Sequence, residues 1–207
     1  MMARLYAIAD AGVLAARGVA LEDFARELRA AGVELVQYRD KVGSPQEVLR
    51  GAAVLREAMA GSGCRLILND RADLAVLAGF DGVHVGQRDL EPEDARRVVG
   101  AERMVGVSTH TESQVRAAEL SCADYVAIGP AFATGTKADA EQVVGLEGIR
   151  RARALTTKPL VAIGGITRAN ARSVIEAGAD SVAVISGLLA PGESVEQVAR
   201  DFLELLR

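Results

Sequence analysis

Short, mostly apolar runs alternate with longer stretches of helical periodicity from one end of the chain to the other. The strand-like runs are Arg4–Ala9, Glu34–Tyr38, Arg65–Asn69, Gly82–Val85, Met104–Val107, Tyr125–Gly129, Pro159–Ile163 and Ser181–Ile185. They alternate little between apolar and polar, as strands buried on both faces of a parallel sheet do. Between them, apolar residues recur with helical spacing over Leu21–Ala31, Pro45–Met59, Arg71–Leu77, Pro92–Val98, Glu112–Ser121, Leu146–Leu155, Asn170–Ala177 and Val195–Leu206. Ser44-Pro45 and Glu91-Pro92 put proline where a helix begins, and Gly32, Gly79 and Gly178 stand where helices should stop. Ala-Gly-Val-Glu at 31–34, Ala-Gly-Phe-Asp at 78–81 and Ala-Gly-Ala-Asp at 177–180 repeat one device, a helix end and tight turn feeding a strand. No linker interrupts the series. Eight strand–helix units with no strand left over predict a (β/α)8 TIM barrel, one domain spanning 1–207, in preference to an open doubly wound sheet.

Composition narrows the picture. Half of the 207 residues are hydrophobic, aromatics are scarce and tryptophan is absent, so Ala, Val, Leu and Ile carry the packing. A net charge of −4 gives a nucleic-acid partner no global electrostatic support. Cys64 and Cys122 have no zinc-type spacing to His84 or His110, and a reduced compartment is expected. Met1–Ala9 lacks the pattern of a secretory signal, and no apolar run approaches the length of a membrane span. The expectation is a cytoplasmic protein with no membrane and no nucleic-acid partner.

Against that acidic background, Gln37-Tyr38-Arg39-Asp40-Lys41 concentrates positive charge at a strand end. In extended backbone Gln37, Arg39 and Lys41 share a face, so an amide and two cations converge as they would around a polyanion. In a barrel, chemistry belongs at the C-terminal strand ends. Other polar residues fall there too: Asn69-Asp70, Gly86-Gln87-Arg88-Asp89, Ser108-Thr109-His110, the loop from Gly129 through Thr134, Gly135, Thr136 and Lys137, Gly164-Gly165, and Ser186-Gly187. Asp70 and Asp89, near Arg and Lys, suit a Mg²⁺ ion that also takes substrate phosphate. The competing reading is local: Asp70 capping the helix that follows, and Asp89 holding its own loop.

Gly164-Gly165 and Ser186-Gly187, after the seventh and eighth strands, match the usual phosphate site of barrels. Glycine lets backbone N–H groups approach an anion closely. His84, inside a strand, reads as a packed structural histidine; His110, at the rim, reads either as an acid–base group or as a helix-start residue. No nucleophile–base pair stands out, as covalent catalysis would require. The residues describe a transferase-like barrel with a diphosphate–Mg²⁺ region and a monophosphate region, acting on two phosphorylated small molecules. Nothing in the sequence specifies an oligomeric state.

These segments resemble the thiamine-phosphate synthase (thiamin phosphate pyrophosphorylase) family, in order and over nearly the whole chain. The resemblance implies joining of a hydroxymethylpyrimidine diphosphate to a (carboxy)thiazole phosphate, with diphosphate released by a dissociative route. It implies that Gln37, Tyr38, Arg39, Asp40, Lys41, Asn69, Ser108 and Lys137 hold the pyrimidine diphosphate and that Asp70 and Asp89 hold Mg²⁺. Arg39, Lys41, Ser108 and Lys137 would take part in the chemistry. Thr134, Gly135, Thr136, Gly164, Gly165, Ile185 and Ser186 would hold the thiazole phosphate. Phe132-Ala133-Thr134 lacks the proline expected before the first threonine. Two rivals remain: a thiazole tautomerase with His110 as its acid–base group, and a non-catalytic barrel that binds a phosphorylated metabolite.

Overall fold

The computed structural model describes residues 2–134 and 142–207. Its strands are β1 (Leu5–Asp10), β2 (Leu35–Arg39), β3 (Arg65–Asn69), β4 (Gly82–Val85), β5 (Met104–Thr109), β6 (Tyr125–Ile128), β7 (Leu160–Ile163) and β8 (Ser181–Val184). They form a closed barrel in chain order, every pair parallel, with β1 joined to both β2 and β8. The expected TIM barrel is the observed fold.

Around the barrel lie α1 (Ala11–Ala16), α2 (Leu21–Ala31), α3 (Pro45–Ala58), α4 (Ala72–Ala78), α5 (Pro92–Val99), α6 (Glu112–Leu120), α7 (Gly145–Leu155), α8 (Ala171–Glu176) and α9 (Val195–Leu205). Capping boxes at Ser44/Glu47 and Thr111/Gln114 start α3 and α6, so two orphan donors are satisfied at each end. Gly32, Gly79 and Gly178 all take the positive φ expected of helix stops.

The pleat splits the core in two. Leu5, Ala7 and Ala9 of β1 point outward into the layer shared with the helices. Tyr6 and Ile8 point inward, where they meet Leu35, Ile67, Tyr125 and Val161 in the lumen. Burial on both faces explains why these strands lack alternation. At the N-terminal end of the barrel, Asp81, Asp124 and Asp180 each accept a backbone N–H from the start of the preceding odd-numbered strand. The donors are Leu66, Val105 and Leu160, at 2.7, 2.7 and 2.8 Å. The acidic residues that end two Ala-Gly-X-Asp turns, Asp81 and Asp180, and Asp124 after Ser-Cys-Ala thereby pin strand register.

Three features differ from expectation. Helix α1 has the sequence AGVLAA, with no polar face to create a helical period, and Asp10 caps it by accepting from Val13 N at 2.9 Å. Strand β5 runs on through Ser108 and Thr109, which pair with Ala127 and Ile128. Buried Thr109 satisfies its hydroxyl by donating to the Ala127 carbonyl at 2.8 Å, so a polar residue sits in a strand at no cost in unpaired groups. After β8, Ser186–Leu188 form a single 3₁₀ turn. Among the described residues, no helix is long and apolar enough to cross a membrane.

Candidate active site

The residues singled out from the sequence meet at the C-terminal rim and in the lumen just beneath it. Gln37 and Arg39 of β2 line the upper lumen together with Asn69 and Ser108. Tyr38 and Asp40 do not join them. Tyr38 turns outward beneath α3, where its hydroxyl occupies the space left by Gly51; a Cβ there would lie 2.1 Å from it. Burial, with the Asp40 carboxylate beside it, pushes the Tyr38 phenol up to about 12. Asp40 accepts the backbone N–H groups of Val42 at 3.1 Å and Gly43 at 2.8 Å and so shapes its own loop. Strand pleating turns Gln37 and Arg39 toward the lumen and Tyr38 away from it, while Asp40 and Lys41 lie past the end of β2.

Each cation of the motif has an acidic partner. Arg39 pairs with Asp10, a residue that sequence reasoning missed, and the pair is largely buried. Lys41 donates to Asp70 at 2.5 Å. Asp70 has φ of 63°, unusual for a non-glycine residue. It does not cap α4, whose N-cap is Arg71. Burial raises its pKa and the facing Asp89 carboxylate raises it further, while Lys41 acts the other way. Asp89 also accepts from Gly86 N at 2.8 Å, holding its loop as one of the two readings had it. Two confronted carboxylates, one of them paired with an ammonium, fit a hard divalent cation, which would neutralise both and free Lys41. The described residues contain no group of three or more acidic, His or Cys side chains arranged for a metal. A cation here would therefore draw further ligands from substrate or water, as Mg²⁺ does.

Beneath the rim, Gln37, Tyr6, Tyr125, His84 and Ser108 form one chain of hydrogen bonds. His84 is 7 % exposed and bonded through both ring nitrogens, as expected of a packed histidine. Gln87 donates to the Ser108 carbonyl at 2.7 Å. Asn69 Nδ2 is buried in this region without a hydrogen-bond partner. An orphaned donor on a residue that lines a cavity suits a ligand acceptor.

A larger cavity of about 500 Å³ adjoins the lumen and shares Ser108 and Ile185 with it. Thr134, Gly164, Gly165, Ile185 and Ser186 all line it. The glycine pair is required where it stands. Gly164 has φ of 104° and a Cβ would meet Pro130 Cβ at 2.5 Å; Gly165 has φ of 64° and a Cβ would meet the Ala133 carbonyl oxygen at 2.6 Å. Asn170 braces this turn, accepting from Thr167 N at 2.8 Å and donating to the Gly165 carbonyl at 3.0 Å. His110 Nδ1 donates to the Gly129 carbonyl at 2.7 Å. Gly135, Thr136 and Lys137 lie outside the described residues.

Sequence reasoning also missed Tyr6, Tyr125 and Asn170. The tyrosines read as ordinary apolar strand positions; a hydroxyl placed inside an otherwise aliphatic lumen was the available signal, since buried hydroxyls need partners.

Known proteins resemble this chain in sequence and in fold. The sequence is 55 % identical over 205 residues to the thiamine-phosphate synthase of Koribacter versatilis (strain Ellin345), covering 98 % of this chain and 95 % of that one. It is 41 % identical over 203 residues to the thiamine-phosphate synthase of Chloroflexus aurantiacus (strain ATCC 29366 / DSM 635 / J-10-fl), covering 98 % and 92 %. The thiamine phosphate pyrophosphorylase structure from Pyrococcus furiosus superposes with a TM-score of 0.87 at 29 % identity, covering 98 % and 95 %. With residues 5–188 matching its family model as well, the chain belongs to the thiamine monophosphate synthase family, a family of transferases.

Proposed function

We propose that this barrel transfers a hydroxymethylpyrimidine group from its diphosphate to the ring nitrogen of a (carboxy)thiazole phosphate, with Mg²⁺ held by Asp70 and Asp89. The observation that carries the reading is the Asp70–Asp89 carboxylate pair set against Lys41, with Arg39 on the neighbouring strand end. Bound there, Mg²⁺ would supply Lewis-acid stabilisation of a departing diphosphate. Arg39 and Lys41 would add fixed positive charge where negative charge develops, the arrangement that lowers the barrier to leaving-group loss. The bond from the pyrimidinylmethyl carbon to the diphosphate oxygen breaks, and the electron pair leaves with the diphosphate. The thiazole nitrogen then forms the new carbon–nitrogen bond with its own lone pair. No protein nucleophile is needed, in keeping with the residues that face the cavity.

The thiazole phosphate is assigned to the larger cavity. The Gly164-Gly165 turn and Ser186 support this, because they line that cavity and a turn of two glycines presents main chain there rather than side chains. Asn69 Nδ2 and Ser108 are assigned to the pyrimidine substrate. Lys137 and Thr136 are proposed ligands on sequence grounds alone.

The test is release of diphosphate from both substrates together, with and without Mg²⁺, by the wild type and by Asp89→Ala. Metal-dependent release by the wild type, lost in the variant, is expected. No release from the wild type would sink the proposal; undiminished release by Asp89→Ala would sink the metal assignment. Turnover of thiazole isomers without metal would point to the tautomerase instead.

A further inference from the structure

The hydrogen-bonded chain across the lumen has a direction. Gln37 Nε2 donates to the Tyr6 hydroxyl at 2.8 Å. The Tyr6 and Tyr125 hydroxyls are 3.0 Å apart, Tyr125 OH is 2.9 Å from His84 Nδ1, and His84 Nε2 is 2.8 Å from Ser108 Oγ. Tyr6, Gln37, His84 and Tyr125 are all buried, so each link matters to the next.

Satisfaction of these buried groups orders the protons. With Gln37 donating to Tyr6, the remaining partner of Tyr6 among the described residues is Tyr125. Were Tyr125 the donor in that link, the Tyr6 proton would be buried without an acceptor, an expensive arrangement. Tyr6 therefore donates to Tyr125, and Tyr125 donates to His84 Nδ1. The imidazole proton then sits on Nε2 and is given to Ser108 Oγ. At one end of the chain, Ser108 accepts and turns its own O–H toward the cavity. At the other, the amide nitrogen of Gln37 is engaged, and its carbonyl oxygen is left to the cavity.

The lumen is built to hold these hydroxyls. Phenylalanine would fill the same volume, yet oxygen is placed at both positions and fully paired. Gly106 faces the Tyr125 ring, and a Cβ there would lie 2.0 Å from it. Asn69, whose buried Nδ2 has no hydrogen-bond partner, lines the same cavity as Gln37 and Ser108 and points independently to a ligand acceptor.

We infer that Tyr6, Tyr125 and His84 are positioning residues: their relay sets Gln37 as an acceptor and Ser108 as a donor toward the ligand. A ring edge that complements this pair carries an N–H beside an unprotonated ring nitrogen. An aminopyrimidine has that edge; an oxo-pyrimidine presents it inverted. The identity of the ligand rests on the proposed function, whereas the direction of the relay does not.

The relay is tested first on the wild-type protein. Nitrogen-15 NMR should find the neutral His84 ring protonated on Nε2; protonation on Nδ1 overturns the proposal. Titration calorimetry then compares the aminopyrimidine alcohol with its oxo analogue. The wild type should bind the amino compound at least about tenfold more tightly, because buried polar groups reject a mismatched edge. Tyr6→Phe and Tyr125→Phe should each erase most of that preference, while KM for the thiazole phosphate changes less than about twofold, as expected for a site they do not line. Variants whose melting curves match the wild type but which keep the preference would overturn the relay, as would no preference in the wild type. If the wild type has the tautomer and the preference yet releases no diphosphate, the proposed function fails and the relay stands.

Discussion

Asp10 and Arg39 face each other in register at the C-terminal ends of β1 and β2, and their side chains form an ion pair that is largely buried. The same carboxylate caps α1 through Val13 N. One acidic group thus ties a strand end, a helix start and the first cation of the anion site together. Removing either partner strands a buried charge, which typically costs about 3–5 kcal/mol.

Asp10→Ala and Arg39→Ala are therefore each expected to lose about 3–5 kcal/mol in urea unfolding. The double variant should lose clearly less than the sum, because the second substitution removes the charge the first left unpaired. Strictly additive losses would show that the pair is not coupled.

The carboxylates Asp70 and Asp89 predict a metal effect on stability that needs no substrate. A ligand that binds only the folded state stabilises it by mass action, by about 2.7 kcal/mol at a hundred times its Kd. Mg²⁺ should raise the melting temperature of the wild type and leave that of Asp89→Ala unmoved. Thermal melts across a Mg²⁺ series check this, and an equal shift in both proteins would count against the site.

Glu119 on α6 clamps the segment before β7, accepting the hydroxyl protons of Thr156 at 2.5 Å and Thr157 at 2.8 Å. These bonds favour the ionised form and lower its pKa from 4.5 to about 2. A carboxyl whose pKa is depressed on folding contributes stability above its unfolded value, and that contribution is lost as pH falls through the folded value. Glu119→Gln should thus destabilise the protein most above about pH 5, with the difference from wild type gone near pH 2, by that linkage. A pH-independent difference in urea midpoints would rule the clamp out.

Gly106 gives way to the ring of Tyr125, and a Cβ would lie only 2.0 Å away. Gly106→Ala is expected to cost about 1–3 kcal/mol through overpacking. It should also raise KM for the pyrimidine substrate more than KM for the thiazole phosphate, since the displaced ring belongs to the relay beneath the pyrimidine. Steady-state kinetics with each substrate varied in turn would read the split; equal changes would mean that the lumen shape does not matter to recognition.

The eight strands were legible because the signals that define them are local. Glycine at 32, 79 and 178 and proline at 45 and 92 act on their own backbone whatever surrounds them. Helix α1 escaped because a six-residue apolar segment has no period to read. Gln37 and Arg39 face the lumen as pleat spacing predicts, and the same spacing sets Tyr38 apart, whereas Asp40 and Lys41 lie past the end of β2. Only a motif taken whole made five residues look like one wall.

Local chain physics dictated the alternation of strands and helices, the closed count of eight and the concentration of polar residues at one end of every strand. What it could not dictate was partnership. Arg39 finds Asp10 from 29 residues away, and Tyr6 meets Tyr125 across 119 residues. Those pairs exist because barrel closure brings particular strand ends and particular inward positions face to face. A hydrogen bond depends on distances of about 3 Å, and no pattern along a chain encodes them until the sheet has closed.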